Sequence, residues 1–269
     1  MPDPGPPDPG PPDPGPGNRR LCIFGDSHFA CLRYALNARL VAHPGVDIEF
    51  WGTVGNRFRH LAYADGAIRP TDDFTARRFA AVNDRHRMEL RPDDFDMVLF
   101  MGCRTRVNRL FMDALHRARH PGLFLSSGVT QRMMADHLHS LPAYGFAKGF
   151  AAQGRARIVY APVSFQTAGF ADGLLETCPD AVQGTTAERA ALWGLIRAVM
   201  AGDGITLLAQ DDATVVQGCF TDPAYAVRSA DARQDSTHKN ARYGAIVLTQ
   251  VLHLLDSGAE TPAPPPPPV

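Results

Sequence analysis

Lysine is nearly missing from this chain: Lys148 and Lys239 are the only two, and every other basic residue is arginine. The 27 basic and 28 acidic side chains still balance to a formal net charge of -1, which leaves no electrostatic case for nucleic acid or an anionic membrane surface. The arginine bias reads as a codon-composition effect without functional weight. Cysteine is scarce as well. Cys22, Cys31, Cys103, Cys178 and Cys219 are odd in number and form no Cys-x-x-Cys pair, which argues against a disulfide framework or a cysteine zinc site. Cys22 and Cys31 lie in apolar stretches and read as buried thiols. No apolar run approaches the roughly 20 residues of a membrane span, and the chain starts acidic and proline-rich where a secretory signal is basic, then apolar. A cytoplasmic globular protein with no metal and no cofactor is expected.

At 269 residues the chain suffices for one sizeable core. Residues 2–16 repeat Pro-Asp-Pro-Gly-Pro three times, and Pro262 and Pro264–Pro268 form a polyproline stretch. Neither composition packs a core, so 1–17 is expected to be a disordered leader and 259–269 a disordered tail around a domain at 18–258. Inside it short apolar strands alternate with helices. Leu21–Phe24, Val46–Trp51, Asp96–Met101, Ala156–Ala161 and Ile205–Ala209 read as strands, and Leu123–Ser126 as a further short one. Helices are expected over Phe29–Leu40, Arg104–Arg119, Thr130–Leu141, Ala187–Met200 and Ala241–Leu255, with Thr185 or Thr186 capping the fourth. The Arg-rich stretch from Gly55 to Asp94 reads as partly helical, a cap over the sheet edge. Repeated strand–helix units imply a mostly parallel sheet covered on both faces, a three-layer α/β/α sandwich.

Two segments carry chemistry. In Leu21-Cys22-Ile23-Phe24-Gly25-Asp26-Ser27-His28 a buried strand runs into a tight turn and then a helix. Ser27 therefore stands at the carboxyl end of a strand, where open α/β sheets bind ligands, and at a helix mouth that favours negative charge. On this stretch alone, a simple helix cap by Asp26 or Ser27 is the plainer reading. The second segment, Asp235-Ser236-Thr237-His238-Lys239-Asn240, stands just ahead of the closing helix. A carboxylate three residues before a histidine can accept from its Nδ1–H, fix the tautomer and stabilise the imidazolium formed when the ring takes a serine proton. Caps and a surface histidine would explain this segment too, because Asp235, Thr237 and Asn240 all suit cap positions.

Taken together, the two segments resemble the SGNH (GDSL-type) hydrolases. In that family a Gly-Asp-Ser follows the first strand and an Asp-x-x-His precedes the last helix. Phe24-Gly25-Asp26-Ser27 and Asp235-Ser236-Thr237-His238, followed by Asn240 and Tyr243-Gly244, match both ends. The resemblance implies a flavodoxin-like α/β/α fold, a metal-free serine mechanism and substrates among acyl esters or acetylated carbohydrates. It makes Ser27 the nucleophile, His238 the general base and acid, and Asp235 its orienting partner. The family's oxyanion glycine after the second strand corresponds to Gly55, with Gly52 the second choice. Its Gly-x-Asn-Asp after the third strand keeps the glycine, Gly102, but Arg104 stands at the asparagine, whose side chain is an oxyanion donor. Arginine is a pure donor with a permanent charge, which suits an oxyanion, a substrate carboxylate or a structural ion pair alike.

The expected activity is hydrolysis of a small acyl or acetyl ester. If a sugar hydroxyl intercepts the acyl-enzyme, the same site is an O-acetyltransferase, and the replaced asparagine points instead to a non-catalytic binding domain. Other signals read as structural. Asp136-His137-x-His139 lies on a helix where i and i+2 do not share a face. His60, His86, His116, His120 and His253 show no partner pattern. Arg57, Arg59, Arg77, Arg78, Arg85 and Arg87 are interspersed with Asp65, Asp72, Asp73 and Asp84 as a self-paired solvated face. The loop Val163–Gly173, with Phe165 and Phe170, suits a cleft lining or plain packing.

Overall fold

The computed structural model describes residues 18–53, 55–83, 85–123, 125–170, 172–227 and 235–257. The expected leader, the expected tail and Asp84 lie outside them. Five strands form the central sheet: β1 (Arg19–Gly25), β2 (Val46–Gly52), β5 (Met97–Arg106), β6 (Arg157–Val163) and the short β7 (Thr206–Leu207). Their order is β2-β1-β5-β6-β7, with every pairing parallel. This is the flavodoxin-like order, and its switch point lies between β1 and β5.

Alternation along each strand divides the core into two layers. Leu21, Ile23, Met97, Leu99 and Val159 face α1 (Ala30–Asn37) and α8 (Ala241–Asp256). Cys22, Phe24, Val98, Phe100 and Tyr160 face the other layer. That layer holds α2 (Asp73–Val82), α3 (Asn108–Arg117), α4 (Ser127–His139), α5 (Pro142–Gln153), the short α6 (Asp172–Thr177) through Leu175, and α7 (Thr186–Gly202). The protein is thus a three-layer α/β/α sandwich whose strands are buried on both faces, which is why they read as unbroken apolar runs. Thr185 caps α7 in a reciprocal capping box with Glu188. No described helix is long and apolar enough to cross a membrane.

Several expected elements differ. The 55–94 stretch contains helix α2, but it also folds a hairpin, β3 (Leu61–Ala64) with β4 (Ala67–Pro70), around the two-residue turn Asp65-Gly66. Arg69 pairs with Asp65 and Arg87 with Asp94 inside the stretch, but Arg87 and Arg85 also reach out of it to Glu49 on β2, which is 5% exposed and takes them at 2.7 and 3.1 Å. No strand is seen among the described residues of Leu123–Ser126: Pro121–Leu123 is a 3-10 turn, Phe124 lies outside the described residues, and Ser126 caps α4 by accepting from the Val129 N–H. α5 was not expected, because its two glycines weaken the helical pattern. Strand β5 runs on through Arg104 to Arg106, so α3 starts at Asn108 and Arg104 belongs to the strand end.

Candidate active site

Strand β1 ends at Gly25, and Asp26 caps the 3-10 turn Ser27–Phe29 that leads into α1. The Asp26 carboxylate is buried and works in two directions. Its Oδ1 accepts from the His28 N–H at 3.1 Å, and its Oδ2 accepts from the Arg104 N–H at 3.0 Å. One side chain therefore shapes the serine turn and fastens it to the end of the neighbouring strand β5.

That strand end is unusual. Gly102, Cys103 and Arg104 all have positive φ, at 75°, 49° and 59°, and the β5–β6 register shifts between Gly102 and Arg106. Gly102 also lies against the serine turn: a Cβ there would stand 2.7 Å from His28 Cβ and 2.9 Å from Asp26 Oδ1. Glycine is needed both for its backbone angle and for the space. Thr105, buried beyond the kink, pairs its hydroxyl with Tyr160 at 2.6 Å and anchors the strand again.

The second half of the site is a turn organised by Asp235. Its Oδ1 accepts from the N–H groups of Thr237 and His238, both at 3.1 Å. Lys239 is buried and donates to Thr167 Oγ1, Ser236 O and Thr237 O at 3.0–3.2 Å. Asn240 then caps α8, accepting from Arg242 and Tyr243 while its amide donates to Ala224 and Ala226. A Cβ on Gly244 would lie 2.0 Å from the Cys31 carbonyl, so this glycine lets α8 press directly on α1, the helix that follows Ser27.

These supports bring Ser27, His238 and Asp235 into one hydrogen-bonded chain. Ser27 Oγ is 2.7 Å from His238 Nε2, and His238 Nδ1 is 2.8 Å from Asp235 Oδ2. The imidazole is 36% exposed, open enough for a ligand to reach. Burial alone would raise the Asp235 carboxyl, but the His238 and Thr237 N–H groups and the imidazole hold it at about 2. It is a carboxylate at any ordinary pH. The His28 ring stacks on His238 at 5.0 Å and 20°. Burial pulls His28 down to about 4 against the opposing charge of Asp26, so it stays neutral beside its neighbour. Burial likewise lowers Lys239, to about 7, while Asp235 pulls it upward.

Gly55 and Arg104 meet each other: Arg104 Nη1 donates to the Gly55 carbonyl at 3.2 Å. Three contributors went unrecognised in the sequence. Asp26 acts as strand-to-strand tie as well as cap, His28 backs His238, and Lys239 braces the histidine turn. Lys239 had a signal, being one of only two lysines in an arginine-rich chain and directly following the histidine. On α4, Asp136 pairs with Arg132 and His139 with Asp203. His60 binds Asp72, whereas His116 and His120 converge on Asp180. A cavity of about 430 Å³ between α3, α4 and α7, lined by Ala114, Thr130, Leu192 and Leu195, holds none of the Ser27 chain.

No family model and no curated protein matches the sequence. Among solved structures, the periplasmic domain of a lipopolysaccharide acetyltransferase from Salmonella ser. Paratyphi A is 13% identical at a TM-score of 0.39, with 89% of this chain and 84% of that chain covered. An extracellular lipase from Streptomyces rimosus is 15% identical at 0.40, over 86% and 99% of the chains. A carbohydrate esterase family 2 enzyme with its carbohydrate-binding domain, from Corynascus thermopiles (Myceliophthora fergusii), is 13% identical at 0.36, over 91% and 68%.

Proposed function

We propose that this protein is a serine esterase of SGNH type, acting on a small acyl or acetyl ester with a carbohydrate-like alcohol. One observation carries the reading: Ser27 Oγ, both ring nitrogens of His238 and the Asp235 carboxylate stand in a single chain at 2.7 and 2.8 Å. In this reading the carboxylate holds the Nδ1–H tautomer and leaves the Nε2 lone pair facing the serine hydroxyl. Ser27 Oγ attacks the ester carbonyl as His238 takes its proton. The oxyanion is held by the N–H groups of Ser27 and Gly55, with the Arg104 guanidinium beside them. Collapse breaks the bond to the alcohol, which leaves with the proton from His238. Water then enters, gives a proton to His238 and releases the acid from Ser27. A sugar hydroxyl in place of that water gives acyl transfer by the same steps. The five buried free thiols fit a reducing compartment, so the proposal keeps the enzyme cytoplasmic.

The position of Arg104 favours one competing reading, a non-catalytic binding domain, because its guanidinium is tied to Gly55. A fluorophosphonate probe decides between them, since it needs an activated serine and no knowledge of the substrate. Labelling of wild type that Ser27→Ala abolishes, along with short-chain ester hydrolysis, is expected. A folded wild type that takes no label, or hydrolysis that survives in Ser27→Ala, overturns the esterase.

A further inference from the structure

His116 lies in the last turn of α3 and His120 just beyond it, where the chain continues to turn through bonds from Ala118 to Ala114 and from His120 to Arg117. The spacing of four puts both imidazoles on one side, with ring centroids 4.5 Å apart. Opposite them stands Asp180, in the first turn of the 3-10 helix Pro179–Gln183 ahead of α7. His120 Nε2 is 2.7 Å and His116 Nδ1 3.2 Å from the same oxygen, Asp180 Oδ2. Donor atoms of all three residues lie within 4.8 Å of one another. We propose that His116, His120 and Asp180 form a site for a divalent transition metal of the zinc type, separate from the Ser27 centre.

The donor set suits such an ion. Two imidazoles and one carboxylate are borderline ligands that favour zinc, cobalt or nickel over calcium or magnesium, which seek oxygen alone. The spacing suits it as well. Ligand atoms at the usual zinc bond lengths of about 2.0–2.2 Å sit about 3.3 Å apart around a tetrahedral ion. The 3.2 Å pair is already there, the 2.7 Å pair needs to open by roughly half an ångström, and the two imidazole nitrogens, within 4.8 Å of each other, can close to that spacing by ring rotation. A further observation points to an absent partner. His116 Nδ1 is shielded from solvent, and its 3.2 Å approach to Asp180 Oδ2 is not aligned as a good hydrogen bond. An ion between them would use that nitrogen, and the cation would also sit at the carbonyl end of α3, where positive charge is favoured. Three protein donors leave a coordination position for water.

The site would clamp the end of α3 to the segment that leads into α7. Asn108, at the other end of α3, follows the strand end at Arg106, so His116 lies about 12 Å along the helix from the edge that carries Ser27. The metal therefore serves as a staple and takes no part in the ester chemistry proposed above.

The test is titration of the chelator-stripped full chain with Zn²⁺ by calorimetry, with Co²⁺ as a spectroscopic probe and thermal unfolding alongside. One equivalent should bind, Co²⁺ should give the intense visible bands of a four-coordinate site, and Zn²⁺ should raise Tm. Each of His116→Ala and His120→Ala should weaken binding at least tenfold, and the double variant should abolish it. His120 is half-exposed, so its variant keeps the fold even where His116→Ala does not. Asp180→Asn, of the same shape, should also weaken binding tenfold. Labelling of Ser27 should be unchanged in His120→Ala. Absence of saturable binding at 100-fold molar excess of Zn²⁺ overturns the site, as does full affinity in His120→Ala and Asp180→Asn.

Discussion

Replacing Asp235 by asparagine keeps the shape of the histidine turn and changes one proton. In the wild protein Oδ1 accepts two backbone N–H groups and Oδ2 accepts from His238 Nδ1. Asparagine has only one oxygen. If it stays on the backbone donors, the amide NH2 faces His238 Nδ1 at 2.8 Å, and the ring must turn that nitrogen into an acceptor. The proton then moves to Nε2 and points at Ser27 Oγ, so the histidine can no longer take the serine proton. If the amide flips instead, the base survives but two backbone donors face an NH2 group. The first state satisfies its donors but has lost the base, so reaction must pass through the second, whose unpaired backbone donors cost roughly 1–3 kcal/mol.

The lost charge adds to this. A hydrogen bond to a charged group contributes roughly 1.5–3 kcal/mol, and it matters most when the imidazolium forms. Together these are roughly 3–6 kcal/mol on the barrier, a fall of about 10²–10⁴ in kcat. KM should move little, because the loss falls on the transition state. The assay is steady-state hydrolysis of a chromogenic acetate ester at pH 7.5, with circular dichroism and Tm to show that the turn is intact. A folded Asp235→Asn protein with kcat within tenfold of wild type refutes the proton placement.

Two other perturbations probe the surroundings. Arg104→Ala should lower kcat by roughly 10²–10³-fold if its guanidinium serves the oxyanion, and Arg104→Asn should recover much of that. Equal rates for wild type and Arg104→Ala on both a neutral and an acidic ester would leave Arg104 only its link to Gly55. The His28 ring, depressed to about 4 against an ordinary value near 6.5, gives a pH signature. Between those values the unfolded chain binds the proton and the folded one does not, so stability present above pH 6.5 is lost as pH falls to 4. A gap of that size is worth on the order of a few kcal/mol. His28→Phe keeps a ring against His238 and should flatten the fall in Tm over that window. An equally steep fall in the variant would assign it to other groups.

The strands of the sheet could be read from local pattern, whereas each half of the site alone read as a helix cap and only the two together pointed to serine chemistry. Apolar strand runs, a cap residue after β1 and a carboxylate three before a histidine each lie within a window of about eight residues. The Asp65-Gly66 hairpin carried a signal that the helical reading of 55–94 passed over, since Asp-Gly between short apolar runs is a strong turn signal. What local pattern could not show is contact across long separations. His28 meets His238 only because α8 closes on α1 at Gly244. His116 and His120 acquire a partner sixty residues further on. The boundary of β5 was hidden for another reason: positive φ at a cysteine and an arginine is rare and leaves no trace in composition.

That strand end also bears on the departure at Arg104. Non-glycine residues in the left-handed region cost on the order of 1–3 kcal/mol each and persist only where surrounding bonds over-determine them. Here the bonds are visible: Asp26 takes the Arg104 N–H, Thr105 binds Tyr160, and the Cys103 thiol points to the Phe24 carbonyl at 3.7 Å. These bonds hold β5 against the serine turn and sustain the strained backbone there. They also commit the backbone of Arg104, because its N–H is already donated to Asp26. Any help this residue gives an oxyanion must come from the guanidinium, which can leave Gly55 by side-chain rotation alone. An asparagine side chain reaches a shorter distance from the same Cα, so the natural arginine sets its charge farther out from the strand end. A substrate with negative charge beyond its ester would meet that charge directly, and a comparison of acidic with neutral esters in Arg104→Ala reads this geometry.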